Sequence, residues 1–241
     1  MNLNQRIESW LDQSCTAYSS SEHASERPFV TLCYAQSLDG SIALRAGESL
    51  RLSGPESTKL THQLRSLHDG ILVGIGTVLA DDPQLTVREW NGNNPQPIVL
   101  DSQLRLPPTA RVCTASDKRC WVVTAKEAVA QQALDCELLR VAGNGAGQVS
   151  LKAALQCLHE RGIRRLMVEG GGSVLSALLR EQLVDAVVLT IAPKILGGYK
   201  ALGDLGFACE SRLPSLVSPQ SGQLGTDIIV WGTVLHNTGA A

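Results

Sequence analysis

The chain has 241 residues, 44% of them hydrophobic, with 21 Lys and Arg against 23 Asp and Glu and a formal net charge of −2. That length allows one large or two small domains, and the apolar fraction excludes wholesale disorder. Near neutrality removes the footprint of a duplex-binding protein, and no apolar run reaches the roughly 18 residues of a membrane helix. Met1–Trp10 lacks the basic end and apolar centre of a secretory signal. The expected class is a soluble, cytoplasmic protein with neither nucleic-acid nor membrane partners.

A first helix is predicted over Asn4–Asp12, with Ile7, Trp10 and Leu11 on one face. The Ser-rich stretch Thr16–Pro28 reads as a linker, so residues 1–27 form a helix and linker attached to a body over 28–241. Strands are expected at Phe29–Ala35, Gly70–Gly74, Pro97–Leu100, Cys120–Thr124, Glu137–Val141, Arg165–Glu169 and Asp185–Ile191. Helical periodicity falls between them, at Glu56–Leu67 and Leu151–Glu160, the latter with Ser150 as N-cap and Gly162 as its left-handed terminator. This alternation implies a three-layer α/β/α fold around a mostly parallel sheet. In the tail, Arg212–Ser218 and Thr226–His236 read as an antiparallel pair separated by Pro219–Gly225. Seven cysteines at irregular spacings include no Cys-x-x-Cys, which predicts reduced, buried thiols and no metal site.

Chemistry is suggested first at Arg165–Ser173. A strand runs into three glycines and then into a helix carrying Val174, Leu175, Leu178 and Leu179, so helix N–H groups are offered to an anion such as a phosphate. The dinucleotide fingerprint is absent, because Leu175 stands where its last glycine belongs, and no Gly-Lys-Ser/Thr follows. A tight turn needing only glycine dihedrals is the alternative. Glu169 ends its strand at the carboxyl edge, where open α/β sheets place ligands. At Val73–Pro83 a second strand enters a glycine-containing turn, with Thr77 and Asp81 on a short helix that Asp82-Pro83 ends. Ser37-Leu38-Asp39-Gly40 follows the first strand as a turn. No zinc-deaminase or Gly-x-Ser-x-Gly motif is present, and His62, His68 and His159 lack metal-ligand spacing.

These blocks, with Gly47-Glu48-Ser49, Thr77–Arg88, Val99–Ser102 and Ile191–Lys194, fall in one order. By them the chain resembles the reductase domain of the bacterial bifunctional riboflavin biosynthesis protein, from about Pro28 to about His236. The resemblance implies a dihydrofolate-reductase-like fold. It also implies NADPH-dependent reduction of 5-amino-6-(5-phosphoribosylamino)uracil. It places Ala35, Thr77, Asp81, Ser102, Gly171, Gly172, Ser173, Val174, Leu175, Ser176 and Ala177 at nucleotide-contacting positions. Ser49, Arg65, Leu85, Arg88 and Glu169 fall at substrate-contacting ones.

Within that frame Arg65 and Arg88 would clamp the ribose phosphate, and Glu169 would accept from pyrimidine N–H groups. Asp39, just past the first strand, is the candidate proton donor, with an ordered water as the alternative. Arg51 stands where many members carry Trp, and Ser41 where Lys or Arg is frequent. The resemblance further implies NADPH rather than NADH; the sequence itself places no basic cluster for a 2′-phosphate, Arg105 and Lys126 being the candidates. It implies a homodimer, and a separate polypeptide for deamination, since the deaminase half is missing. Two rivals stay open: a reductase of the same superfamily acting on another substrate such as a dihydropterin, and a non-catalytic nucleotide-binding protein.

Overall fold

The computed structural model describes residues 1–115, 117–130 and 132–236, so the last five residues of the expected 28–241 body lie outside the described residues. The first half of the chain forms α1 (Leu3–Tyr18), β1 (Phe29–Ser37), β2 (Ser41–Ala43), α2 (Pro55–Ser66), β3 (Gly70–Gly74), α3 (Ile75–Asp81), β4 (Gln96–Leu100) and α4 (Arg111–Thr114). The second forms β5 (Trp121–Ala125), β6 (Glu137–Val141), α5 (Leu151–Glu160), β7 (Arg165–Glu169), α6 (Gly172–Arg180), β8 (Ala186–Ala192), β9 (Tyr199–Lys200), β10 (Ser215–Leu224) and β11 (Asp227–Leu235). One sheet takes the order β10-β11-β8-β1-β7-β3-β4-β5-β6, and β2 pairs with β9 in a small second sheet. β1 and β3 to β8 run parallel, while β11 and β10 continue the β8 edge antiparallel.

The two faces of the sheet follow from the period of two along each strand. Val30, Leu32, Leu72, Leu166 and Val168 enter one apolar cluster with α5 and α6. Their neighbours face the other way. Ile71, Val73 and Val99 join α3 and α4, and Phe29, Cys33 and Met167 join α1 and α2. This is the expected three-layer arrangement, and each fully buried Leu, Ile or Val in it contributes about 1.5–3 kcal/mol. No helix is long and apolar enough to cross a membrane among the described residues.

Two expectations are corrected. α1 runs six residues beyond Asp12 because Cys15 and Tyr18 continue the buried stripe begun by Ile7 and Leu11. Its start is fixed by reciprocal bonds between Asn2 and Gln5, a capping box. The linker is correspondingly shorter, and α1 shares its cluster with Trp231 of β11. In the tail, β10 runs through Pro219 to Leu224, with a bulge between Val217 and Gln220, and Gly225-Thr226 makes the turn. Proline is tolerated there because β10 is the sheet edge. Among the thiols, Cys15, Cys33, Cys120 and Cys136 are buried, Cys113 and Cys157 half-buried, and Cys209 exposed.

Buried between α2 and β1, His68 donates from Nδ1 to the Leu64 carbonyl at 2.7 Å, so its Nε2 accepts from Thr31 Oγ1 at 3.0 Å. Burial lowers its pKa to about 4, against an ordinary 6.5. The folded state therefore binds fewer protons than the unfolded chain between those values. Its stabilising effect is complete above pH 6.5 and is lost as pH falls toward 4, on the order of 3 kcal/mol in all. The melting temperature is expected to fall across that window, and less steeply in His68→Gln. A profile identical in both proteins would contradict the assignment.

Candidate active site

The carboxyl ends of the parallel strands frame a cleft of about 940 Å³. Ala35 of β1 and Thr190 of β8 line one end; the residues following β7 and β3 form the middle; Ser102, Gln103 and Arg105, after β4, line the other. The helical side adds His62 and Arg65 from α2, with Leu85 and Arg88 from the segment after α3.

The middle is built from Gly170, Gly171 and Gly172. Gly171 sits at φ +78°, where other residues are strained, and a Cβ on it would lie 3.0 Å from Thr77 Oγ1. A Cβ on Gly172 would lie 2.8 Å from the Ala201 carbonyl, so this residue lets the segment after β9 cross the loop. α6 begins at Gly172, and the first N–H groups of a helix have no acceptor within it. A cradle without side chains at a helix N-terminus suits a diphosphate.

Beside it, Arg65 and Glu169 form a bidentate pair, Nε to Oε1 at 2.6 Å and Nη2 to Oε2 at 2.7 Å. The third nitrogen of the fork, Nη1, donates to the Thr86 carbonyl at 2.8 Å. Burial works against the charge on Arg65, but Glu169 more than offsets it and raises the guanidinium above its ordinary value. The two arginines are therefore not equivalent. Arg65 is committed to Glu169 and Thr86, which is not the open clamp expected of it, whereas Arg88 is exposed and, among the described residues, its side chain bonds only the Thr86 hydroxyl, from Nη1 at 2.7 Å.

His62 was not singled out for this site by the sequence. Its Nδ1 accepts from the Arg88 N–H at 2.9 Å, so the neutral ring carries its proton on Nε2. Burial, then the charges of Arg65 and Arg88, lower its pKa to about 4. It lies three residues before Arg65, on the same helical face, and that spacing is the signal available in the sequence. The β6–α5 loop, with Asn144 and Gln148, also lines the cleft; its glycines at 143, 145 and 147 are the corresponding hint.

Most of the expected positions come together here. Ala35, Thr77, Asp81, Ser102, the residues Gly171 to Leu175 and Ala177 line the cleft, as do Arg65, Leu85, Arg88 and Glu169. Ser176, Ser49 and Asp39 do not line it. Ser176 Oγ accepts from the Gly203 N–H at 3.0 Å and so holds the chain after β9. Ser49 is exposed in the loop beyond β2.

The expectation for Asp39 is corrected. Its carboxylate accepts from Lys200 Nζ at 2.7 Å, Ser37 Oγ at 2.6 Å, Leu196 N–H at 2.8 Å, Ser41 Oγ at 2.7 Å and Gly197 N–H at 3.0 Å. The Lys200 bond, then those from Ser37, Leu196 and Ser41, hold it far below the usual carboxylate range. An acid kept ionised in this way has no proton to give near neutrality. Asp39 instead ties the β1–β2 turn to the segment leading into β9, and Lys200 supplies the cation that Ser41 does not. Asp39→Asn is expected to lower thermal stability and raise KM for ligands of the cleft without introducing a new pKa into the rate profile. Loss of turnover with unchanged stability and KM would restore the proton-donor role.

A mostly parallel α/β sheet with a phosphate-suited glycine loop at the centre of its carboxyl-edge cleft defines the general class, an open-sheet ligand-binding fold. The chain belongs to the RibD C-terminal domain family, which matches residues 28–230. It is 40% identical over 183 residues to the 2,5-diamino-6-ribosylamino-4(3H)-pyrimidinone 5′-phosphate reductase of Archaeoglobus fulgidus, covering 71% of this chain and 83% of that one. It is 36% identical over 210 residues to the riboflavin biosynthesis protein RibD of Aquifex aeolicus, covering 86% of this chain but only 58% of that longer protein. The riboflavin biosynthesis reductase Rib7 of Saccharomyces cerevisiae superposes with a TM-score of 0.72 at 30% identity, over 93% of this chain and 99% of the other.

Proposed function

We propose that the protein is an NADPH-dependent reductase of riboflavin biosynthesis. Its substrate in this reading is 5-amino-6-(5-phosphoribosylamino)uracil or the 2-amino analogue for which the Archaeoglobus relative is named. The observation that carries the reading is the cradle at Gly171 and Gly172, opening α6 within a cleft whose neighbouring wall holds the Arg65–Glu169 pair. The residues fit a dinucleotide: a Cβ would fill the cradle, and the cleft extends from it in both directions along the sheet edge. When bound, the cofactor supplies the hydride that converts the ribosylamine carbon into the end of a ribityl chain.

The protein's part is alignment. The α6 N-terminus and Thr77 hold the diphosphate. Glu169, fixed in orientation by Arg65, accepts from the pyrimidine's amino and ring N–H groups. Arg88, which also lines the cleft, takes the ribose phosphate. Water delivers the balancing proton to the substrate nitrogen, since Asp39 is locked. A cytoplasmic homodimer that leaves deamination to another polypeptide belongs to the same reading, with exposed Val217, Ile228 and Leu235 on the β10–β11 edge as its contact surface.

Nicotinamide oxidation measured with each pyrimidine and with dihydrofolate tests this reading. Turnover on a phosphoribosylamino pyrimidine and none on dihydrofolate is expected. Turnover on dihydrofolate alone, or saturable binding without oxidation, would replace the reading with one of its rivals.

A further inference from the structure

Two hydrogen bonds tie α2 to the segment after α3. Arg65 Nη1 reaches the Thr86 carbonyl at 2.8 Å, and three residues earlier in the helix His62 Nδ1 accepts from the Arg88 N–H at 2.9 Å. The Thr86 hydroxyl also accepts from the Arg88 side chain. Between these bonds the backbone is strained. Leu85 is buried at φ +55°, a left-handed conformation that persists only where its surroundings enforce it. The position of Arg88 is thus set by α2, and His62 is the residue that sets it.

The same bond fixes what the rest of the ring does. A ring nitrogen that accepts from an N–H carries no proton, so Nε2 is a donor and only a donor. Adding a proton to Nδ1 would set it against the Arg88 N–H. The surrounding charges act in the same sense, since burial, Arg65 and Arg88 outweigh Glu89 and Glu169 and lower the pKa to about 4. His62 therefore works as a neutral donor at any ordinary pH. Nε2 has no hydrogen bond to any described residue. It is also not among the sealed polar atoms without a partner, which are Ser57 Oγ, Asp101 Oδ1, Trp231 Nε1 and His236 Nδ1. The 2% of His62 that is exposed accordingly includes Nε2, and His62 lines the cleft.

The neighbourhood says what such a donor is suited to. Burial, then the charges of Arg65 and Arg111, lower the pKa of Arg88, so its guanidinium stands in a positive potential. An anion bound there relieves that repulsion. A neutral N–H beside the guanidinium adds a directional bond to the anion without adding to the repulsion, which a lysine or a charged histidine would do. A phosphate monoester has oxygens enough to take both groups at once.

We propose that His62 Nε2 donates a hydrogen bond to the phosphate of the pyrimidine substrate, so that α2 both positions Arg88 and helps select the phosphorylated substrate over its dephosphorylated form. This rests on the reading of Arg88 as the residue that takes the ribose phosphate. Two substitutions separate the ring's nitrogens. His62→Asn sets an amide where Nδ1 stands, able to accept from the Arg88 N–H but too short to replace Nε2; His62→Gln sets its amide N–H where Nε2 stands and gives up the Arg88 bond. Calorimetric titration of the three proteins with the phosphoribosylamino pyrimidine and with its dephosphorylated form, without coenzyme, tests the proposal, with melting measured in parallel. His62→Asn is expected to melt near the wild type. It should bind the phosphorylated pyrimidine about ten- to a hundredfold more weakly, the worth of a hydrogen bond to a charged group, and the dephosphorylated one within about twofold. His62→Gln should melt lower yet keep more of the preference for phosphate than His62→Asn does. The preference is a ratio read within each protein, so a loss of stability does not blur it. If the wild type prefers the phosphorylated pyrimidine and His62→Asn keeps that preference in full, the donor role is refuted and the reading of Arg88 stands. A wild type that binds both pyrimidines equally refutes the reading of Arg88 itself.

Discussion

Gly171→Val is expected to reduce NADPH affinity by at least about a hundredfold, the loss of one or two charge-assisted hydrogen bonds. Two effects act together. The backbone sits at φ +78°, where an L-residue pays about 1–2 kcal/mol and a β-branched one more, so the cradle tends to reshape. Where it does not, the first side-chain carbon already crowds Thr77 Oγ1 at 3.0 Å, and valine adds two methyl groups to that crowded place. The substitution tests the cradle without directly touching Arg65, Glu169 or Arg88, so binding of the phosphorylated substrate alone should change little. Calorimetry with NADPH gives the answer, and an unchanged dissociation constant would mean that the glycines serve only the turn. Gly172→Ala is a different kind of change, because its methyl group would meet the Ala201 backbone carbonyl at 2.8 Å and destabilise the fold itself.

The second large effect is expected at the Arg65–Glu169 pair. The two side chains are 10% and 16% exposed, so removing either leaves an uncompensated charge in a poorly solvated place. Arg65→Ala should lower the unfolding free energy by about 3–5 kcal/mol, as for other broken buried pairs. Replacing both partners, Arg65→Met with Glu169→Gln, should recover much of that stability, since no orphaned charge remains, yet should not recover turnover. Urea unfolding and kcat/KM on the same proteins separate the two roles. A single-variant loss below about 1 kcal/mol would show that the pair is well hydrated and not the rigid wall described above.

The parallel core is legible in the sequence because each strand is a short apolar run bounded by turn residues. The glycine loop is legible because strand, glycines and amphipathic helix are contiguous at 165–180. What local spacing cannot carry is pairing across the chain. Arg65 and Glu169 are 104 residues apart, so a free phosphate clamp and a committed ion pair look alike from the sequence. Asp39 reads as an acid beside a strand until Lys200, 161 residues on, is seen to bind it. The end of α1 is obscured by Ser14 and Thr16, which disfavour helix locally while Cys15 and Tyr18 are held by packing. At β10, Pro219 suggests a break, and only the edge position explains its tolerance.

Isotope transfer tests the central claim most directly. With NADPH deuterated at both C4 positions and either phosphoribosylamino pyrimidine as substrate, the account predicts a ribityl product carrying one deuterium, at C1′, formed in step with nicotinamide oxidation. Product that forms without deuterium, or deuterated coenzyme that remains fully reduced in the presence of both pyrimidines, would contradict it.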